Sequence, residues 1–342
     1  MKILIDGRVL AHNNISGVQR YAQEIVKALK KETRDIEVAI PKFKNRYYQQ
    51  IWEHTLLPWY ARDYDLLFCP SNIAPIYLPK KIKLIVTLHD IAFIDFSNQY
   101  SFIFRKYYQF LVPKNLKRAD FVITISNFSK NRILKEFPFL TNKFKTIYHG
   151  VSSFFSTTQQ KKQDYVLYVG TMNEIKNFQS ILQIFLTHQF KNRYLKMILP
   201  GFATFSCEGK VAKLIEQAKK SKNIEIIEKV DQNRLKQYYQ NAKLFVFPSY
   251  HESFGLPVLE SMACGTPVIV SKTTALSEVG GDAVVYCDPY DINDIKEKIE
   301  MVLSDENLQQ EMIEKGLKRV KEFTWEKSAK EHLRVFQEVL NS

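Results

Sequence analysis

The chain has 342 residues, 45% of them hydrophobic and 25% charged, which is the profile of a folded globular protein and too long for one ordinary core, so two domains are expected. No run approaches the roughly 18 apolar residues that cross a bilayer, and four widely spaced cysteines (Cys69, Cys207, Cys264, Cys287) without a C-x-x-C pair argue against a disulfide framework and a structural zinc, as in a reducing cytosol. The net charge of +13 is uneven: residues 1–150 carry 24 Lys+Arg against 12 Asp+Glu, the remainder 25 against 24, so the two halves present different surfaces.

In chain order, short apolar runs alternate with helical patterns. The first, Lys2–Ile5, follows no signal-peptide hydrophobic region and reads as a buried strand. After Gly17, the residues Val18, Tyr21, Ala22, Ile25, Val26 and Leu29 make one helical stripe. Further strands are expected at Ile36–Ile40, Leu66–Phe68, Leu84–Leu88, Phe121–Ile125 and Lys145–Tyr148. Between Leu88 and Phe121 lies Phe102-Ile-Phe-Arg-Lys-Tyr-Tyr-Gln-Phe-Leu-Val112, aromatic and basic together and expected to end at Pro113. It reads either as a core helix with a few solvated cations or as a segment lying in a membrane interface.

A polar, lysine-rich break near Thr157–Gln163 precedes a second set of six runs: Tyr165–Val169, Leu195–Leu199, Ile224–Ile227, Leu244–Phe247, Val268–Val270 and Ala283–Tyr286. Asn177 is placed to cap a helix carrying Phe178, Ile181, Leu182 and Phe185, and a last helix from Trp325 to about Leu340 is expected to pack through Ala329, Leu333, Phe336 and Leu340. Continuous rather than alternating apolar runs mark strands buried on both faces. The reading is therefore α/β, with right-handed βαβ crossovers, parallel sheets and ligands at the carboxyl ends of the strands.

The most informative segment is Pro248-Ser-Tyr-His-Glu-Ser-Phe-Gly-Leu-Pro-Val-Leu-Glu-Ser-Met-Ala-Cys-Gly-Thr-Pro267. Pro257 suits an early helical position, Val258, Leu259, Met262 and Ala263 form a buried face, and the amides of Gly255, Leu256 and Val258 at the helix start make an anion cradle. Glu252 in the loop and Glu260 on the helix flank it. Lys176, ahead of the Asn177 cap, would oppose a helix dipole, a penalty that makes sense if it neutralises a departing phosphate. Gly17 and Gly170 each sit in a strand-to-helix turn where backbone approaches a ligand closely. His89 follows a strand, where imidazole can donate to a hydroxyl or move a proton; the competing reading is a histidine satisfied by Asp90 or backbone. The spacing Asp63-Tyr-Asp65 reads as a solvated turn rather than a metal site, and Glu278-Val-Gly-Gly-Asp282 as a loop.

These motifs resemble the family-four retaining glycosyltransferases (glycosyl transferases group 1) of GT-B architecture, with mannosyltransferase-like features. Ile15-Ser-Gly-Val-Gln-Arg-Tyr21 resembles the family's first glycine loop, Leu88-His-Asp90 its His-Asp step, Val122-Ile-Thr-Ile-Ser-Asn-Phe-Ser129 its serine motif, Tyr168-Val-Gly-Thr-Met-Asn-Glu-Ile-Lys-Asn177 its phosphate-binding entry, and Glu252 with Glu260 its signature. The resemblance implies two Rossmann-like domains facing a deep cleft: an acceptor domain at 1–158, a nucleotide-sugar donor domain at 159–325, and a terminal helix at 326–342 packing back on the first. It implies catalytic roles for His89, Glu252 and Lys176, and donor contacts from Gly17, Gly170, Lys176, Phe254, Gly255, Leu256, Val258 and Glu260, with Glu260 on the ribose hydroxyls and Glu252 against the sugar. No metal and no cofactor are required. The family usually adds an arginine beside the lysine; here those places hold Thr171 and Ile175.

The implied reaction moves a hexose or deoxyhexose from a nucleotide-sugar donor, with GDP-mannose favoured, to a glycan or lipid-linked glycan acceptor in cell-surface polysaccharide synthesis. Residues 101–150 hold 10 Lys+Arg against 2 Asp+Glu, which fits a cytoplasmic enzyme resting peripherally on an anionic membrane surface through its first domain; no nucleic-acid motif is present. Two alternatives remain open from sequence: a nucleotide-sugar epimerase on the same fold, and a non-catalytic binder of anionic surfaces, which would leave Glu252 and Glu260 unused.

Overall fold

The structure, a computed structural model, describes residues 2–11, 17–43, 45–188, 190, 193–199, 209–228 and 230–342. His12, Ile15, Ser16 and Cys207 lie outside the described residues. The chain divides into two compact units, Met1–Gly150 with Phe323–Ser342, and Val151–Glu322.

In the first unit the apolar runs become β1 (Ile3–Asp6), β2 (Ile36–Ala39), β3 (Leu66–Cys69), β4 (Lys83–Thr87), β5 (Phe121–Thr124) and β6 (Phe144–Thr146). They form one parallel sheet in the order β2-β1-β3-β4-β5-β6, with Ile3 opposite both Ile36 and Leu66. All four residues of β1 and of β3 are buried, as expected of strands covered on both faces. The covering helices are α1 (Gly17–Glu32), α2 (Arg46–Tyr60), α3 (Ala92–Asp95), α4 (Phe102–Arg118) and α5 (Asn127–Glu136). The α1 stripe is buried at Tyr21, Ala22, Ile25, Val26 and Leu29.

The helix α4 runs through Pro113 to Arg118 rather than ending at it. The proline forfeits one backbone bond, while burial of Leu111, Val112 and Leu116 anchors the second half and Lys143 Nζ donates to the carbonyls of Leu116 and Ala119 at its end. Along this segment Leu111, Val112, Asn115 and Leu116 are buried, whereas Phe102, Ile103 and Phe110 are exposed, with Lys114 Nζ 3.7 Å from the centre of the Phe110 ring.

The second unit holds β7 (Gln163–Val169), β8 (Tyr194–Ile198), β9 (Ile224–Ile227), β10 (Ala242–Phe247), β11 (Val268–Ser271) and β12 (Val285–Cys287), alternating with α6 (Phe178–Thr187), α7 (Gly209–Lys220), α8 (Gln232–Asn241), α9 (Leu256–Ala263), α10 (Leu276–Gly280), α11 (Ile292–Ser304) and α12 (Glu306–Arg319). Its parallel sheet runs β12-β11-β10-β7-β8-β9. Taken from the other edge this is the doubly wound order, in which the chain reverses direction between β7 and β10. The expected loop at 278–282 begins inside α10, a five-residue helix, and β12 starts two residues later than the apolar run, because Arg319 draws the carbonyls of Glu278 and Val279 into hydrogen bonds and helical turn geometry persists to Gly280.

The terminal helix α13 (Trp325–Leu340) belongs to the first unit. It buries Trp325, Ala329, His332, Val335, Phe336 and Val339, a face rotated from the expected one, with Leu333 and Leu340 only partly covered. The cause is His332, fully buried and hydrogen-bonded at both ring nitrogens: Nδ1 donates to Ser328 O at 2.7 Å, and Nε2 accepts from the Tyr21 hydroxyl at 2.9 Å. Tyr21 in turn lies 3.0 Å from Thr87 Oγ1, so α13, α1 and β4 share one polar chain inside an apolar core, each member satisfied.

Burial lowers the His332 pKa to about 4, and holds those of His89 and His149 below the ordinary value for the same reason. The folded state thus stays neutral at these rings while the unfolded chain takes up protons below about pH 6.5. Stability should fall as pH drops from about 6.5 towards 4, with His332 alone contributing up to about 3 kcal/mol. Urea unfolding between pH 7 and pH 5 should show this slope, and His332→Gln should flatten it; an unchanged slope in that variant would contradict the assignment.

Candidate active site

In the second unit the loops after β7 and β10 meet where the sheet order reverses, the position at which doubly wound folds bind ligands. β7 ends at Val169. A side chain at Gly170 would place its Cβ 2.7 Å from the Tyr168 hydroxyl, because the buried Tyr168 ring turns back under the loop and its hydroxyl donates to Lys176 O at 3.1 Å. Glycine at 170 is therefore set by packing against Tyr168. Residues Glu174–Lys176 then form a single 3₁₀ turn, with Asn173 Oδ1 accepting from Ile175 N at 3.0 Å.

Asn177 does not cap α6 through its side chain, contrary to the expectation from its position. It takes a left-handed backbone conformation, φ 51°, and no other non-glycine among the described residues has positive φ. Its side chain bridges loops instead. Nδ2 donates to Pro248 O at 3.1 Å and to Pro289 O at 2.9 Å, and Oδ1 accepts from Ser180 Oγ at 2.6 Å. The fully buried amide thereby joins the loops after β7, β10 and β12. Tyr250 N adds a bond to Ile175 O at 2.8 Å. Strain of this kind costs on the order of 1–3 kcal/mol and persists where surrounding bonds over-determine it.

The consequence is the position of Lys176. It ends the 3₁₀ turn, outside α6, so a helix dipole is not what opposes it. Its Nζ lies 2.6 Å from Glu252 Oε1, and Ser249 Oγ lies 3.3 Å from the same oxygen. The pair is partly open to solvent, at 25% and 12% side-chain exposure, so an incoming anion can reach the ammonium. Backbone holds Glu252 as well, with Ala275 N donating to Glu252 O at 3.3 Å.

Gly255 precedes α9 with φ 117°, and a Cβ there would lie 2.5 Å from Leu276 Cδ2; both facts demand glycine. Pro257 occupies the first turn. The Val258 N–H already donates to Gly255 O at 3.1 Å, so of the three amides expected to form a cradle, those of Gly255 and Leu256 precede the helical bonding. Phe254 is buried at 3% exposure, as is Glu260 on α9. Glu260 lies close enough to Cys264 that, after burial, it is the next cause raising that thiol to about 12.

Gly17 and His89 belong to the first unit. Gly17 opens α1, takes no left-handed φ, and a Cβ there would meet nothing within 4 Å among the described residues. His89 is 4% exposed. Its backbone N–H donates to Asn72 Oδ1 at 2.8 Å, its Nε2 to Pro70 O at 3.2 Å, and its ring meets the Tyr21 ring edge-on at 4.9 Å. Burial lowers its pKa, so the ring is neutral at pH 7. Asp65, the second member of the D-x-D spacing, accepts from Lys2 N at 2.8 Å, a bond between the entries to the paired strands β1 and β3.

Sequence reasoning missed Tyr168, Ser249 and the bridging role of Asn177. An asparagine directly after the lysine, with prolines at 248 and 289 whose carbonyls need donors, was the available signal.

Two family profiles match the chain in succession: Glycosyltransferase Family 4 over residues 32–153, and Glycosyl transferases group 1 over residues 152–319. The chain is 28% identical to the O-antigen chain mannosyltransferase B of Escherichia coli, over 91% of this chain and 93% of that protein. It is 30% identical to the O-antigen chain mannosyltransferase RfbU of Salmonella typhimurium, over 60% of this chain and 57% of that one. Among solved structures it superposes on sucrose-phosphate synthase from Thermosynechococcus elongatus with a TM-score of 0.80 at 17% identity, covering 100% and 99% of the two chains. It also superposes on WaaG, a glycosyltransferase involved in lipopolysaccharide biosynthesis, with a TM-score of 0.72 at 14% identity, covering 96% and 98%. Two parallel six-stranded sheets, the Lys176–Glu252 pair ahead of a glycine-led helix and two matched profiles that together reach from residue 32 to residue 319 make this chain a glycosyltransferase of the family-four, group 1 family with the GT-B fold.

Proposed function

We propose that the enzyme moves a hexose or deoxyhexose, with GDP-mannose the favoured donor, onto a glycan or lipid-linked glycan in cell-surface polysaccharide synthesis. The observation that carries this reading is the Lys176–Glu252 contact beside the start of α9. The donor diphosphate sits on the Gly255 and Leu256 amides, Glu260 accepts from the ribose hydroxyls, and the Lys176 ammonium exchanges Glu252 for the β-phosphate. That exchange frees the Glu252 carboxylate to face the sugar, where positive charge builds as the anomeric carbon–phosphate oxygen bond breaks. The acceptor hydroxyl forms the new bond from the same face, and its proton passes to the departing phosphate.

The mannose preference rests on the names of the two O-antigen relatives. A solved neighbour, HepE from Anabaena, was crystallised with UDP and glucose at 15% identity and a TM-score of 0.76, which makes UDP-glucose the donor to test against. In the first unit, His89 acts as a neutral ring through its Nδ1 edge, since Nε2 is held by Pro70 O. Gly17 lets a ligand approach α1, because neither crowding nor backbone conformation requires glycine there. The exposed Phe102, Ile103 and Phe110, with Arg105, Lys106 and Lys114 around the two phenylalanine rings, rest the first unit against an anionic membrane surface. Among the described residues no helix is long and apolar enough to cross a membrane.

Transfer assays over GDP-mannose, UDP-glucose, dTDP- and ADP-sugars should show turnover with GDP-mannose. Lys176→Ala and Glu252→Gln should each lower kcat by on the order of 100-fold or more, while Glu260→Ala should chiefly raise the donor KM. Release of a free epimer without transfer, or full activity in all three variants, would contradict the proposal.

A second comparison separates ligand approach from packing. Gly255→Ala should destabilise the protein by on the order of 1–3 kcal/mol, seen as a lower urea midpoint. Gly17→Ala should leave stability within about 0.5 kcal/mol yet reduce transfer. Full activity in Gly17→Ala would remove Gly17 from the site.

A further inference from the structure

The first unit carries an open groove whose lining includes no residue of the donor loops or of α4. Its volume is about 710 Å³, within the roughly 300–1,000 Å³ usual for ligand sites. The groove follows β2, the edge strand of the sheet. One end lies past the carboxyl end of β2, at Ile40, Lys42 and Phe43. The other reaches Lys2 at the entry to β1, with Arg62 and Tyr64 ahead of β3. It therefore runs from the side of the sheet where ligands bind to the opposite side.

Aromatic rings make its walls. Two of the chain's three tryptophans line it. Trp52 is buried, as is Leu4 beside it in the core, whereas Trp59 is 57% exposed. Tyr60, also exposed, meets the Trp59 ring edge-on at 5.3 Å. Phe43 is held through its carbonyl, which accepts from Gln49 Nε2 at 2.7 Å, and Tyr64 through its hydroxyl, which donates to Glu37 Oε2 at 2.7 Å. These rings are set before any ligand arrives. Exposed charges of both signs edge them: Lys2, Lys42 and Arg62 with Glu37 and Asp63. An anionic headgroup would call for cations alone, and the centre of a subunit interface is depleted of charge. Acids and cations together beside flat rings offer acceptors and donors to a neutral, hydroxyl-rich chain whose C–H faces rest on the rings.

We propose that this groove binds a neutral oligosaccharide, the part of the growing glycan that lies behind its reacting end. Trp59 and Tyr60 stack on sugar faces, Glu37 and Asp63 accept from hydroxyls, and Lys42 and Arg62 donate to them. The assignment rests on the polysaccharide acceptor proposed above and adds a second place that holds it. Sugars in the groove keep the chain at high effective concentration near the enzyme, so the grip on an acceptor grows with its length.

The test uses the full chain, with α-linked mannotetraose and maltotetraose as neutral probes and no donor present. Calorimetric titration should show the wild type binding at least one of them. Trp59→Ala should weaken that binding by about tenfold or more, the scale of truncating a contact tryptophan, and Trp59→Phe should weaken it less. The urea midpoint and the affinity for GDP should stay near wild type, because Trp59 is more than half exposed. In transfer assays the wild-type kcat/KM should rise from a disaccharide acceptor to a tetrasaccharide, and Trp59→Ala should remove that rise while leaving the disaccharide value unchanged. No tetrasaccharide binding to the wild type, unchanged binding in Trp59→Ala, or a flat length dependence in the wild type would overturn the proposal. So would a Trp59→Ala variant that keeps oligosaccharide binding but loses self-association in sedimentation, or loses binding to phosphatidylglycerol vesicles, since the groove would then belong to a second copy or to a membrane. Absence of transfer from GDP-mannose with probe binding intact would count against the donor reading alone.

Discussion

One strained asparagine organises the loops at the carboxyl ends of the second unit's strands. Asn177 adopts a backbone conformation that its side chain disfavours, and its amide ties its own loop to those of Pro248 and Pro289 through their carbonyls and to α6 through Ser180 Oγ. Glycine would take φ 51° at less cost but would bring no amide. The bonds gained fix the 3₁₀ turn ahead of it, and that turn sets the Lys176 ammonium against Glu252. Tyr168 supports the same turn from below through Lys176 O. The charge pair is therefore held from the backbone rather than by its own attraction, which in a half-open setting is worth little. A cation positioned in advance and lightly held is what a departing diphosphate requires.

The sheets explain why chemistry gathers where it does. In each unit the strands are parallel, and in the first β1 and β3 are buried along their whole length, so the backbone and polar groups that reach solvent in order are those in the loops at strand ends. In the second unit the loops after β7 and β10 carry Lys176 and Glu252; in the first, Asp6 ends β1 and His89 follows β4. The first unit also keeps a run of neutral buried histidines, with His332 bound to Tyr21. That polar chain attaches the C-terminal helix to a sheet formed by the first part of the sequence.

Much of this was legible in the residues. Short apolar runs located the twelve described strands to within a residue or two, most plainly the central ones such as β1 and β3, which are buried throughout and leave no polar position to blur them. The glycine-led start of α9 and the spacing of Glu252 and Glu260 were equally plain. What the sequence hid depended on distant partners. Pro113 looked like a helix end until Lys143 was seen to complete the carbonyls beyond it. Leu333 looked like core until His332 claimed the buried face through Tyr21. Asn177 looked like a cap, since nothing local announces a left-handed asparagine bonded to carbonyls 71 and 112 residues away. Glu53 was invisible within an aromatic helix, and only the fold brings it to Arg8.

The central claim is that Lys176 gives up Glu252 for a diphosphate, and a crystal structure with GDP bound tests it most directly. The account predicts Lys176 Nζ within hydrogen-bonding distance of the β-phosphate, the Gly255 and Leu256 amides on the same group, and Glu252 released. A nucleoside diphosphate bound elsewhere, with the Lys176–Glu252 contact intact, would contradict it.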